Sequence, residues 1–214
     1  MRVRVKYCGI TRLEDAQFAA EQGVDALGFV FFEESPRYVS PQIASAIIKR
    51  IPSMVTTVGL FVNTRSSEVR RIADQTGIDM IQYHGDEHPT DCSEVSRRWI
   101  KAIRVCREED IVNAEKKYHE ASALLLDSWK PGAYGGTGEC FDWRKIPRHI
   151  SKPFILAGGL DPSNIRRAIR ETKPFAVDVS GGIELDKGIK DPDKMRAFIE
   201  EIENLKEDDK SKKT

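Results

Sequence analysis

No stretch of this sequence stays apolar for long enough to span a bilayer, and the opening residues, MRVRVKYC, hold no signal-peptide core. A cytoplasmic protein with no membrane partner is the expectation. Neither charge is in excess, since 34 basic residues balance 34 acidic ones. No global field therefore draws the chain to nucleic acid. Only four cysteines occur (Cys8, Cys92, Cys106 and Cys140), and no C-x-x-C spacing joins any two of them. That argues against a zinc knuckle or a dithiol pair, and in a reducing compartment all four are expected to be free thiols. A Walker A loop is missing, as is a G-x-G-x-x-G turn after the first strand.

What is present suits a globular enzyme. The 214 residues are enough to bury a core, 40% are hydrophobic, and the 32% that are charged are mixed in sign, which suggests many surface ion pairs. Eight β-rich runs recur: RVRVKYC (2–8), ALGFVFF (26–32), VTTVGLFV (55–62), MIQYHG (80–85), WIKAIRVC (99–106), SALLLDS (122–128), PFILAGG (153–159) and FAVDVSGG (175–182). Helix signals lie between them. Thr11 with Glu14 reads as a capping box closed by Gly23. Ser40-Pro41 and Asp161-Pro162 each read as an N-cap before a proline. Periodicity marks helices over 66–77 and 191–205.

Strict alternation demands crossovers and hence a parallel sheet. Eight units make a single-domain (β/α)8 TIM barrel the expected fold, covering 1–205, with a charged, frayed tail over 206–214. An open doubly wound sheet is the runner-up, and CGIT after the first strand is not its dinucleotide turn.

Strand parity then sorts the polar residues. Val3, Val5 and Tyr7 suit the layer beneath the helices, so Arg4, Lys6 and Cys8 point into the barrel. The same alternation turns Gln82, His84, Asp127, Asp178 and Ser180 inward. Most of these sit at the C-terminal ends of strands, where barrel enzymes place their active sites. A structural core needs no thiol, imidazole and carboxylates at one rim. His84 and Asp178 are expected to contact substrate. Glycine clusters follow strands six, seven and eight, at Gly136, Thr137 and Gly138, at Gly158 and Gly159, and at Ser180 and Gly181. Backbone N–H groups in such turns suit a phosphate.

The segments KYCGIT (6–11), SPRYVSP (35–41), GLFVN (59–63), QYHGDE (82–87), LLDS (125–128), GGTGECFDW (135–143), LAGGLDPSN (156–164), DVSGGIE (178–184) and KGIKD (187–191) resemble the phosphoribosylanthranilate isomerase family. The resemblance runs in order over nearly the whole chain, with Gly181 standing where the family often has a second serine. It implies an Amadori rearrangement in tryptophan biosynthesis, from N-(5-phosphoribosyl)anthranilate to 1-(2-carboxyphenylamino)-1-deoxyribulose 5-phosphate, with no metal or organic cofactor. By the same resemblance Cys8 is the general base, Asp127 the general acid, and Arg37 the ligand of the anthranilate carboxylate. A thiol base works best with its ionisation drawn down toward neutrality, and Lys6 is the candidate for doing so. The only partner expected is the small phosphosugar substrate, with the chain a monomer or a homodimer.

Three alternatives stand beside this. Related phosphate-binding barrels would want a lysine with paired glutamates, or two aspartates, at strand ends that here hold other residues. A metal hydrolase could use His84 and His88, though Gly85 and Pro89 make that stretch a loop. A non-catalytic phosphosugar-binding barrel would keep the glycines and could lose the acid and base.

Overall fold

The computed structural model describes residues 2–128, 142–147 and 149–211. Eight strands form a closed parallel barrel in chain order. They are β1 (Arg4–Cys8), β2 (Ala26–Val30), β3 (Thr56–Phe61), β4 (Met80–Tyr83), β5 (Arg98–Val105), β6 (Ala123–Ser128), β7 (Phe154–Leu156) and β8 (Ala176–Val179). Between and after them come α1 (Leu13–Glu21), α2 (Pro41–Ile48), α3 (Ser66–Thr76), α4 (Pro89–Ser93), α5 (Glu108–Lys117), α6 (Ile165–Thr172) and α7 (Pro192–Ser211). A short antiparallel hairpin, β9 (Glu184–Asp186) with β10 (Ile189–Lys190), sits between β8 and α7. The barrel closes where β1 pairs with β8, Lys6 opposite Asp178 and Tyr7 opposite Val179.

Alternation places the side chains as expected. Val5, Tyr7, Leu27, Phe29, Ile81, Leu124 and Val177 belong to the large apolar cluster between strands and helices. Ile100, Ala102, Leu125, Ile155 and Ala176 fill the lower barrel as a separate cluster. Above them Cys8, Val30, Leu60 and Val62 form a third. β6 is buried along its whole length, so its run of leucines serves both layers at once.

Some local signals read differently in three dimensions. Ser40 does cap α2, accepting from Ile43 N–H, with proline following. Thr11 caps nothing: α1 starts after Arg12, and the Thr11 hydroxyl donates to the Gly188 carbonyl on the hairpin. Asp161 does not cap a helix at Pro162 either. Its carboxylate takes the N–H groups of Ser163 (2.7 Å) and Asn164 (3.1 Å), a tight turn that delays α6 to Ile165. Between β6 and β7 the helical structure among the described residues is one 3-10 turn, Trp143–Lys145. Cys92, Cys106 and Cys140 read from the sequence as small buried or half-buried residues without a catalytic role; Cys92 is buried, Cys106 is exposed, and Cys140 lies outside the described residues.

One buried ion pair has no counterpart in the strand pattern. Lys101 lies on the outward parity of β5, yet it is 2% exposed. Its ammonium donates to Glu87 Oε2 (2.8 Å) and to the Gly85 carbonyl (2.6 Å). Glu87 Oε1 in turn accepts the N–H groups of Asn63 (2.9 Å) and Gly85 (3.0 Å). The pair fastens the loop after β3 to the loop after β4, immediately beside His84.

Candidate active site

A cavity of about 320 Å³ opens at the C-terminal end of the barrel, and Cys8, Arg37, His84, Asp127, Asp178 and Ser180 all line it. Val30, Phe32, Leu60 and Val62 give it one apolar wall. The wall went unread in the sequence because each of these residues looks like ordinary core.

Cys8 ends β1 and is 5% exposed. It pairs in register with Gly28 on β2, where a Cβ would lie 2.8 Å from the Cys8 sulfur and 3.0 Å from Lys6 Nζ. That glycine leaves the thiol and the ammonium room to sit side by side. Lys6 Nζ donates to Asp178 Oδ1 at 2.8 Å, and both side chains are buried. Burial alone would pull the Lys6 ammonium down, but Asp178 above all holds it up, at about 12. For Cys8 the expected depression is not what the site shows. Burial pushes the thiol up, Lys6 pulls the other way, and burial wins.

This has a consequence for pH dependence. The Cys8 thiolate should form only above the ordinary thiol range of about 8.5, read as ultraviolet thiolate absorbance of wild type minus Cys8→Ser. Over that interval the unfolded chain loses its thiol proton before the folded chain does, so this group's stabilisation is lost as pH rises. A difference titration centred near neutrality would mean instead that Lys6 outweighs burial at the thiol.

Across the cavity, Asp127 comes from the end of β6. Its Oδ1 accepts the Ser128 N–H at 2.8 Å, and its Oδ2 lies 3.3 Å from His84 Nε2. That second contact falls short of a hydrogen bond, since His84 Nε2 has no hydrogen-bond partner among the described residues. Gln82 Nε2 lies 3.1 Å from His84 Nδ1 and steadies the ring from behind. Gly158, at φ +82°, lies against this acid: a Cβ there would be 2.6 Å from Ser128 N and 2.9 Å from Asp127 Oδ1. Gly158→Ala should therefore misplace the carboxylate as well as strain a left-handed backbone by about 1–2 kcal/mol. A fall in kcat of about tenfold to a hundredfold is expected, and steady-state kinetics on the folded variant would check it. An unchanged kcat would mean that Ser128 and Asp127 move aside freely.

Arg37, in the loop after β2, forms a two-pronged ion pair with Glu184, Nε to Oε1 at 2.8 Å and Nη2 to Oε2 at 2.7 Å. Glu184 and its spatial neighbour Lys190 fall in the segments DVSGGIE and KGIKD that carry the resemblance, but neither was singled out for a role. Ser180 Oγ is buried with no hydrogen-bond partner among the described residues, and it lines the cavity beside Gly181, Gly158 and Gly159. Gly136, Thr137 and Gly138 lie outside the described residues. His88, the second histidine of the metal alternative, is at the N-cap of α4, accepting from Thr90 N–H, while His84 points into the barrel. Among the described residues no cluster could hold a metal ion, and no helix is long and apolar enough to cross a membrane.

Comparison with known proteins gives one consistent answer. Residues 5–201 match the family model for N-(5'-phosphoribosyl)anthranilate isomerase. The chain is 52% identical over 205 residues to the protein of that name from Nitrosococcus oceani, covering 96% of this chain and 100% of the relative. It is 54% identical over 202 residues to that of Azotobacter vinelandii, covering 94% and 98%. Among solved structures, phosphoribosyl anthranilate isomerase from Thermotoga maritima superposes with a TM-score of 0.88 at 40% identity, covering 94% of this chain and 99% of that one. A second structure, at 38% identity and TM-score 0.81 with the same coverage, is a complex with reduced 1-(o-carboxyphenylamino)-1-deoxyribulose 5-phosphate.

Proposed function

The chain belongs to the N-(5'-phosphoribosyl)anthranilate isomerase family and is an isomerase, and from that premise we propose that Cys8 and Asp127 perform its proton transfers as general base and general acid. The observation that carries the reading is that the two face one cavity from β1 and β6, with the Arg37 guanidinium and an apolar wall lining it. An Amadori rearrangement needs an acid at the sugar ring oxygen and a base at the neighbouring carbon. Asp127 gives its proton to the furanose ring oxygen, the C1′–O bond breaks, and the anilino nitrogen's lone pair forms the protonated imine. Cys8, as thiolate, then takes the C2′ proton, and its electron pair moves toward the iminium to give an enolamine, which tautomerises to the ketone. Both transfers are general acid–base steps.

Around that axis Arg37 takes the anthranilate carboxylate, for which a planar guanidinium is suited. His84 and Asp178 contact the sugar. Gly158, Gly159, Ser180 and Gly181 hold the phosphate, joined by Gly136, Thr137 and Gly138. The reaction belongs to tryptophan biosynthesis, needs no metal or organic cofactor, and takes place in the cytoplasm. Residues 1–205 are the catalytic domain; the charged segment 206–214 is appended to it, though not frayed from its start as expected, since α7 runs on to Ser211. One related structure is of monomers made from the dimeric Thermotoga maritima enzyme, at 37% identity; for this chain monomer and homodimer both fit the site as built.

The test supplies phosphoribosylanthranilate generated in situ, with a chelator present, and follows the loss of its fluorescence. Rapid loss supports the reading. Absence of turnover with phosphosugar binding retained would favour the non-catalytic binding barrel instead.

A further inference from the structure

Arg37 is held in an unusual way for a ligand-binding arginine. Its Nε and Nη2 edge is fully committed to Glu184, leaving Nη1 without a hydrogen bond among the described residues on a side chain that lines the cavity. Glu184 is shared. Lys190 Nζ also donates to its Oε1 at 2.9 Å, and spends its other two protons on the carbonyls of Cys8 (2.6 Å) and Ser180 (3.2 Å). Burial draws the Lys190 ammonium down and Glu184 pulls it back up; three acceptors around one nitrogen are the full complement that the charged form can serve. Its side chain is 0% exposed and that of Glu184 5%.

Charge follows from that count. Two cations and one carboxylate leave one positive charge without a protein counter-ion, and it faces the cavity on Arg37, whose side chain is 12% exposed. The neighbouring pairs do not supply one: Lys6 is matched by Asp178, and Arg12, behind Lys190, by Asp15. Glu34 lines the same cavity but is exposed. A largely buried, unmatched charge is costly, so the site favours an anionic group beside Arg37. Geometry sets where that group must lie. The Arg37 stem crosses Gly9, at φ +78°, where a Cβ would come within 2.6 Å of Arg37 Cδ. The stem is thus held against the backbone while Glu184 fixes the head. The apolar wall of Val30, Phe32, Leu60 and Val62 lines the same cavity and can take a ring attached to the anion.

We propose that Glu184, backed by Lys190, is the positioning residue that turns the free edge of Arg37 toward an aromatic carboxylate and so makes the site select an aglycone bearing one. This rests on the reading above that Arg37 is the carboxylate's ligand. Glu184 touches no substrate atom in this scheme, and its effect passes through the guanidinium. Lys190 keeps Glu184 from cancelling Arg37's charge, and by holding the Cys8 carbonyl it ties the aglycone end of the site to the base.

The experiment measures binding of the reduced product analogue with and without its ring carboxylate, to wild type, Arg37→Met, Glu184→Gln and Lys190→Met. The ratio of the two affinities within one preparation is the readout, so an inactive fraction cancels. Wild type should prefer the carboxylated ligand, and Glu184→Gln should lose about tenfold to a hundredfold of that preference, the range for hydrogen bonds to charged groups. Affinity for the ligand without the carboxylate should hardly change, and turnover should show a raised KM with kcat less affected. Lys190→Met should lower the preference too, although the Arg37–Glu184 fork is intact. Were Arg37→Met to lose the preference while Glu184→Gln kept it, the positioning role would be overturned and the reading of Arg37 would stand. Were Arg37→Met itself to keep it, both would fall. Equal weakening of both ligands by Glu184→Gln would also overturn the proposal, marking a structural role only.

Discussion

Asp127→Asn is expected to lower kcat by about 10²–10⁴-fold with little change in KM. The substitution is close to isosteric. An asparagine carbonyl can still accept the Ser128 N–H that Oδ1 accepts now at 2.8 Å. The carboxylic proton is what disappears, and an amide has none to give to a ring oxygen. Cys8→Ser should cost a comparable factor for the opposite reason, since a serine hydroxyl is a far weaker acid than a thiol and supplies no anion to act as base. Because the two act in one sequence of transfers, the double variant should be little worse than either alone. Steady-state fluorescence assays on the three proteins decide it. A single variant within about threefold of wild type would remove that residue's role, because no general acid or base contributes so little.

Lys101→Met should destabilise the fold by about 3–5 kcal/mol, the cost of leaving one member of a buried ion pair uncompensated. The side chains of Lys101 and Glu87 are 2% and 3% exposed, so water cannot take the ammonium's place. Glu87 would still hold the backbone N–H groups of Asn63 and Gly85, but as a buried anion without a counter-charge. Adding Glu87→Gln should recover much of the loss, because an amide oxygen keeps an acceptor while the charge goes. Urea unfolding of the single and double variants provides the measurement. A cost below about 1 kcal/mol for Lys101→Met would class the pair with exposed ones.

How much of this was legible beforehand depended on period and locality. The two-residue period of a strand put Lys6, Cys8, His84, Asp127 and Asp178 on the inner face, and all five line or adjoin one cavity. Helix ends were harder. Asp161-Pro162 has the composition of a cap, yet its carboxylate closes a turn three residues too early. Lys101 defeated the pattern because parity sends it outward, where a lysine reads as solvated. Its partner is fourteen residues earlier in a loop with no period. Glu184 and Lys190 were missed for a similar reason. Only when the hairpin folds back over the first strand's loop does a string of charges become a buried cluster, and no spacing rule reports that. The direction of the Cys8 shift was misjudged because a neighbouring cation is visible in KYC while the extent of burial is not.

The closure of β1 against β8 also bears on how the chain is made. Lys6 and Asp178 are 172 residues apart in sequence, and at about 5–20 residues per second a ribosome needs about 10–35 s to synthesise that interval. Throughout it the first strand has one neighbour, β2, and one bare edge, the kind of template on which other chains add strands. The sequence of that strand answers the hazard. Arg4 and Lys6 alternate along it, with Arg2 just before, so the waiting edge carries cations that repel its own copies until β8 arrives. The ammonium that later partners Asp178 beside the thiol thus serves first as a gatekeeper during synthesis.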